Sequence, residues 1–270
     1  RKMQMDARKL GERILWSYEL TADSVIALGP LLTSQAIAAM NDAIEYGVVR
    51  GDTAAGNGAN INKNDGTPTT TGGAASKYLV TNGLHKFCID GITHNSVARS
   101  GVLYDVATLS TAAGSNDYVL MLAQMGKYGL NPQDLMFLHT PGSYFKALQL
   151  AEVLTIDKFG ASATVLKGQL ASVMGIPIVV SGAIPKTENG QTGEIIGTPS
   201  TTKDHITAIY RPGVIVGFAE IEGTKRVLVE QERDIETQQH KMVATVRFDV
   251  LLPKDDSTGE KSVVLGYDVD

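Results

Sequence analysis

An α+β fold is predicted by three features of the 270-residue sequence. A helical apolar stripe lies within 33–49, strand and helix patterns alternate between 85 and 222, and from His205 onward nearly every pattern is that of a strand. With 43% hydrophobic and 20% charged residues the composition is ordinary for a globular chain able to bury a sizeable core. Dividing the length by about 150 gives roughly two domains.

Residues 1–17 mix charges with isolated apolar residues before "RILWSYEL" gathers Ile14, Leu15, Trp16 and Tyr18. An extended, partly exposed arm running into a buried strand is expected there. Asp23 or Ser24 is expected to cap a short helical turn, and Thr33 or Ser34 a longer helix over "SQAIAAMNDAIEYGVV". Ile37, Met40, Ile44 and Val48 form its apolar stripe, with Gln35, Asp42 and Glu45 elsewhere. Arg50-Gly51-Asp52 spells a cell-adhesion tripeptide, but here it reads as a helix end with Gly51 as C-cap.

The run "GDTAAGNGANINKNDGTPTTTGG" (51–73) contains only Ile61 to fill a core. A phosphate-binding P-loop needs glycines that free backbone N–H groups, followed by Lys and Ser/Thr, after a strand. Gly51 and Gly56 have that spacing, yet Asn57-Gly58 stands in place of the Lys pair and a helix precedes the run. A mobile connecting loop is the expectation.

Further on, "KFCIDGI" reads as a short strand. Ser115 or Asn116 opens a helix over "DYVLMLAQMGKYG" that would bury Val119, Leu122 and Met125. "DLMFLHT" reads as a strand after Asn131-Pro132. Thr140-Pro141 then supplies a capping hydroxyl and a proline for the first helical position, with Tyr144, Leu148 and Ala151 as the buried stripe. "MGIPIVVSGAIP" is expected to be a buried strand and "TENGQTGE" a polar turn. Four strands follow: "HITAIYRP", "GVIVGFAEIEG", "KRVLVEQERDIE" and "HKMVATVRFDVLLP". In the last, Met242, Ala244, Val246, Phe248 and Val250 share a face opposite Lys241, Thr245, Arg247 and Asp249, the alternation of a half-buried antiparallel strand. Thr237, Gln238 and Gln239 are expected to make the turn before it.

The net charge of -5 argues against a basic surface that grips nucleic acid, while allowing one that faces packed nucleic acid without gripping it. The single cysteine, Cys88, cannot form an internal disulfide, which fits a reducing compartment. No apolar run approaches the roughly 20 residues of a membrane helix. No secretory leader pattern is seen, and the first residue, Arg1, implies a processed or partial N-terminus.

Glu230, Glu232, Asp234 and Glu236 alternate, so a strand would line up four carboxylates on one face. Such a row suits a metal or a catalytic pair, or else a solvated edge completed by basic groups of another subunit. His85, Cys88 and His94 form H-x2-C-x5-H, which Asp90 would complete as a zinc site, although a closed site usually pairs its ligands at short spacing. His139, His205 and His240 are isolated, and no G-x-S-x-G elbow or H-E-x-x-H helix occurs. No catalytic, cofactor-binding or metal-binding residue is therefore assigned.

The order of these segments resembles the major capsid protein of tailed bacteriophages, the Hong Kong 97 capsid fold. "WSYELTADS" resembles the entry into its peripheral domain, and "QAIAAMNDAIEYGVVRGD" its spine helix with an apolar-x-Gly-Asp ending. "LNPQDLMFLHTPGSYFKALQL" and "LKGQLASVMGIPIVVSGAIP" resemble its axial segments, and "KRVLVEQERDIETQQHKMVATVRFDVLLP" its long hairpin. Thr67-Pro68 with a polar Thr/Gly run replaces the family's usual Pro-x-Gly-apolar segment. The resemblance implies five parts: 1–13 as the returning strand of an extended loop, 14–84 as the first part of the peripheral domain with spine helix and Gly-rich loop, 85–222 as the axial α/β domain, 223–258 as the peripheral β hairpin, and 259–270 as a C-terminal strand returning to the axial domain.

The implied function is that of a structural protein rather than an enzyme, self-assembling as hexamers and pentamers into an icosahedral shell around double-stranded DNA. Further implied partners are portal and scaffolding proteins, with a decoration protein as an optional one. DNA would be enclosed without sequence-specific binding, no membrane is involved, and the location is the virion capsid, assembled in the host bacterial cytoplasm. The expected intersubunit contacts pair Arg1, Lys2, Arg8 and Lys9 with Glu230, Glu232, Asp234 and Glu236. Gln238 and Gln239 stand at the late hairpin with no Asn nearby, so a Lys–Asn crosslink is not expected. The alternative within the fold is an encapsulin-type nanocompartment enclosing cargo enzymes. The alternative from another class is a metal-dependent α/β enzyme using Glu230, Glu232 or Asp234.

Overall fold

The computed structural model describes residues 5–24, 27–54, 60–62, 79–93, 101–105, 114–148, 172–183, 204–220, 223, 227–252 and 261–269. Two sheets carry the architecture. The four-stranded sheet is built on β9 (Gln239–Leu251), whose one edge pairs antiparallel with β1 (Arg8–Ser17) and whose other edge pairs in succession with β8 (Leu228–Asp234) and β7 (Ile215–Phe218). The expected apolar face of β9 holds, with Met242, Ala244, Val246, Phe248 and Val250 all buried; on the opposite face Arg247 is exposed, but Thr245 is buried as well, between the strands that pair on both edges. The apolar face packs on α2 (Leu28–Arg50) with Trp16, Ala36 and Met40, while Ile14, Ile44 and Val48 add partial cover.

At about 1.5 Å per residue the 23 residues of α2 reach about 34 Å. It begins earlier than expected, at Leu28, with Ala27 as a cap that has no side-chain bond. Thr33 and Ser34 are therefore not caps. Their hydroxyls donate to the carbonyls of Gly29 and Leu31, satisfied inside the helix instead of ahead of it. Ile37, expected in the stripe, is exposed. The short helix α1 (Tyr18–Asp23) is capped by Ser17, whose Oγ accepts from the Leu20 amide at 3.2 Å; Asp23 ends it, and Ser24 is its C-cap.

The second sheet runs β2-β10-β6-β3-β5-β4, from β2 (Gly101–Asp105), β10 (Val263–Val269), β6 (Asp204–Tyr210), β3 (Leu135–His139), β5 (Ile176–Val180) and β4 (Ser172–Val173). On one face lies α4 (Gly114–Met125), where Tyr118, Met121 and Met125 pack on Leu135, Phe137, Ile206, Ala208 and Val264. Of the expected stripe Met125 is buried, but Val119 is exposed and Leu122 half-buried, their places taken by Tyr118 and Met121. Residues 119–122 are apolar on more than one helix face, so periodicity alone could not choose the buried one.

The opposite face carries α3 (Leu84–Thr93), with Leu84, Cys88 and Ile89 on Leu138, Ile209, Val263 and Leu265. This helix replaces the strand expected at "KFCIDGI". Residues 84–89 are buried or nearly so between the sheet and the end of α2, and a short run buried all round looks alike as helix or strand. Thr140-Pro141 does open α5 (Pro141–Leu148), with the Ser143 amide donating to Thr140 Oγ1 at 3.1 Å. Its buried residues are Gly142, Ser143 and Ala147, while Tyr144 and Leu148 are half-buried and Ala151 lies outside the described residues. β5 is less buried than expected, since only Ile176 is enclosed and Val179 and Val180 are exposed. It pairs with the two-residue β4 on its outer edge, so little covers it. The "TENGQTGE" turn lies outside the described residues.

Candidate functional site

The acidic row sits on the β8–β9 hairpin. Val229 packs in the α2 core and the Gln231 amide donates to Thr33 Oγ1 at 3.0 Å, so the alternate residues Glu230 and Glu232 face away from the helix, both exposed. Asp234 is different, because its carboxylate already has partners within the chain. Lys241 Nζ bonds one oxygen, and the other accepts from the amides of Glu236 (3.0 Å) and Thr237 (3.2 Å). These bonds, from Lys241 first and then Thr237, hold the carboxyl far below the usual carboxylate range. Glu236 leaves the row, since the strand ends at Asp234 and residues 235–238 form the turn, with Gln238 at φ 53° and Gln239 already in β9.

The hairpin end is braced from below. Tyr18 donates from its hydroxyl to the Asp234 carbonyl at 2.9 Å and from its amide to the Gln238 carbonyl at 3.2 Å. The Arg233 guanidinium lies 4.5 Å from the Tyr18 ring centroid, and His240 stacks on Trp16 at 5.3 Å. Ile235 at the tip is 82% exposed. The result is a firmly held projection ending in an uncovered apolar side chain.

Where α2 ends, the glycine-rich run begins with a buried lock. Asp52 is fully buried, accepts from the amides of Ala54 (2.9 Å) and Ile61 (2.8 Å), and meets Lys86 Nζ at 3.0 Å. Asn60 Nδ2 donates to the carbonyls of Asp52 and Ala54, and Asn62 Nδ2 to that of Arg50. Ile61 fills the core beneath α3, as the sequence suggests. Gly51 is the C-cap, though at φ -59° it is not left-handed; it is needed because a Cβ would stand 2.4 Å from the carbonyl oxygens of Gly47 and Thr81. The amides of Ala54 and Ile61 thus serve the protein's own carboxylate, so neither is left to cradle a phosphate.

Among the described residues the H-x2-C-x5-H spacing gathers no metal site. His85 Nε2 lies 3.1 Å from Thr207 Oγ1 and Cys88 Sγ donates to the Val263 carbonyl at 3.9 Å, while His94 lies outside the described residues. Among the described residues no three potential ligands cluster. The histidines isolated in sequence do acquire partners: His205 lies 5.1 Å from the His85 ring, and His139 Nδ1 lies 3.2 Å from Ser143 Oγ. Asp204 does not complete a triad with them, since it accepts from Thr140 Oγ1 at 2.8 Å and pairs with Lys146 at 3.1 Å. Burial pushes His139 down to about 4, and desolvation, then His205 and Arg50, push His85 well below its ordinary value. These are neutral, enclosed groups of a core.

No protein-family profile matches the chain, and no curated protein sequence is significantly similar to it. Solved structures are similar in fold. The capsid of an empty GTA particle matches with a TM-score of 0.61 at 13% identity, over 98% of this chain and 74% of that one. The capsid of cyanophage P-SCSP1u matches at 0.56 and 15% identity, over 98% and 73%. The chain has the Hong Kong 97 capsid fold. The holo-SrpI encapsulin complex from Synechococcus elongatus PCC 7942 shares it, at 0.54 and 12% identity over 98% and 74%.

Within this capsid fold the expected charge partners are set apart. Arg8 stands opposite Phe248 on one edge of β9, whereas Glu232 stands opposite Lys241 on the other. At about 3.4 Å per residue along β9 these positions are about 24 Å apart, so Arg8 and Lys9 do not meet Glu230 or Glu232 within one chain. Arg8 lies 3.9 Å from Asp6, in an exposed pair. Arg1 and Lys2 lie outside the described residues. The Asp52–Lys86 lock was not foreseen; its only sequence signal is the Gly-Asp that ends the spine-helix resemblance.

Proposed function

We propose that the chain is the major capsid protein of a tailed double-stranded DNA bacteriophage, a structural protein that assembles as hexamers and pentamers into the icosahedral shell around the genome. The observation that carries this reading is the capsid fold matched over 98% of the chain, with β1 and the braced hairpin joined in one sheet that packs on the 23-residue helix α2. Identical chains that meet through unlike patches generate rings, and extended arms enlarge each contact. A net charge of -5 suits a lining that must not hold its DNA tightly. Portal and scaffolding proteins are the further partners, assembly takes place in the host bacterial cytoplasm, and a decoration protein is an optional addition outside. The intersubunit reading of Arg1, Lys2, Arg8 and Lys9 against Glu230, Glu232, Asp234 and Glu236 narrows to Glu230 and Glu232 as the acidic side, since Asp234 is already engaged.

Size-exclusion chromatography of the expressed chain, followed by negative-stain electron microscopy of the leading peak, tests this. Closed angular shells or ring-shaped capsomers are expected. A compact monomer at every concentration and salt would overturn the reading. The encapsulin similarity supports a second reading, a nanocompartment around cargo enzymes. Shells that enclose a co-expressed cargo enzyme through a short peptide tail would favour it.

A further inference from the structure

The unused apolar side of α4 runs into a groove of about 520 Å³ lined by Val119, Leu122, Ala123, Gly126 and Leu130, with Lys127 also in its wall. Leu130 is 80% exposed there, far more than a monomer needs of a leucine. This groove lies where β3 begins, because residues 126–134 lead from α4 into Leu135. At the other end of the same strand, α5 presents Phe145, 62% exposed, and β5 presents Val180, opposite His139 in the register. A hole and a knob thus lie toward opposite ends of β3.

The charges are complementary as well. Glu45 is exposed at the knob end, where it accepts from Ser181 Oγ, the residue after Val180. Lys146 at that end is held by Asp204 at 3.1 Å. The groove end carries Lys127, over the Tyr128 ring, and Arg211, bonded to the Gln133 carbonyl; its carboxylate, Asp134, accepts from Asn131 Nδ2. We infer that the α4 groove is the docking site for the Phe145 end of a second copy of this chain, with Glu45 of that copy facing Lys127. The contact is head-to-tail, so its repetition closes a ring when the rotation per copy permits. This rests on the shell-building reading and names the surface that would join neighbours within a capsomer.

The test uses the full chain at matched concentration, read by sedimentation velocity. F145D in the knob and L130D in the groove should each weaken ring association by about 30-fold or more, as for a central apolar anchor. Both residues are exposed, so near-ultraviolet circular dichroism should stay that of the parent. E45K and K127E should each weaken association, and the double charge swap should restore it. As a second readout, F145C with A123C should give interchain disulfide ladders under oxidation. Rings in the parent that persist unchanged in F145D and L130D, with no ladder, overturn this inference and leave the shell reading standing. A parent that never associates overturns the shell reading first.

Discussion

Removing the Lys86 ammonium should expose the cost of a lone buried carboxylate at the end of α2. Asp52 and Lys86 lie 3.0 Å apart, with side-chain exposures of 0% and 9%. At an effective dielectric of about 20 their attraction is about 5.5 kcal/mol, a gain largely offset by taking both charges out of water. The pair therefore adds little relative to apolar replacements, yet breaking it from one side costs about 3–5 kcal/mol. K86M keeps the volume and leaves the Asp52 carboxylate with only its two amide donors. D52N takes the Asp52 charge away from the ammonium and loses one amide acceptor. Each single substitution should lower the unfolding free energy by about 3–5 kcal/mol, and D52N/K86M should cost no more than either single one, a coupling of about 3 kcal/mol. Urea unfolding followed by Trp16 fluorescence, repeated at two protein concentrations to remove assembly effects, measures this directly. Singles that add to within about 0.5 kcal/mol, or a neutral K86M, would refute the argument that the loop ends are tied by a coupled charge pair.

His139 is neutral in the fold, pushed from 6.5 down to about 4 by burial, so the unfolded chain binds the extra proton first as pH falls. Its contribution is fully present above about 6.5, declines at about 1.4 kcal/mol per pH unit, and levels off below about 4, about 3 kcal/mol in all. His85 acts in the same direction, so H139Q should flatten the stability profile between pH 6.5 and 4 without abolishing its slope; parallel profiles would contradict the assignment. G51A drives a methyl against two backbone carbonyls and should cost about 1–3 kcal/mol or more, whereas G29A, with nothing within 4 Å, should be neutral or stabilising by up to about 1 kcal/mol in thermal melts. E230K/E232K should abolish shell formation while leaving the monomer's melting temperature unchanged; intact shells by electron microscopy would remove these residues from the interface.

The parts legible in the sequence are those governed by local chemistry or a strict period. β9 declared itself because one face of a long strand is buried throughout while the other, Thr245 apart, is half-buried or exposed, and α5 because Thr140 and Pro141 act on the backbone beside them. Failures arose where tertiary burial decided. α3 is enclosed between a sheet and the end of α2, so its pattern lost the contrast that marks a helix, and α4 had more apolar residues than its core contact uses. Asp52 and Lys86, or His85 and Thr207, depend on which helices meet which strands. No spacing rule reports that.

The surplus on α4 and the charge row on β8 share a physical logic with the way the two cores are joined. α2 contributes Met40, with Ile44 and Val48, to the core on the four-stranded sheet, and Val49, with Tyr46, to the core beneath α3. At Gly47 the helix touches β9 so closely that a Cβ would stand 2.7 Å from the Phe248 ring. The segment 79–83 crosses the same point, where Thr81 Oγ1 donates to Asp249 at 2.7 Å and accepts from the Val250 amide at 3.1 Å. One helix locked into two cores fixes the braced hairpin and the α4 groove relative to each other, so contacts at both places can be satisfied at once without ordering the chain further. Rigidity of that kind lowers the entropic cost of association, and it places the apolar surplus at the periphery, where another copy can cover it.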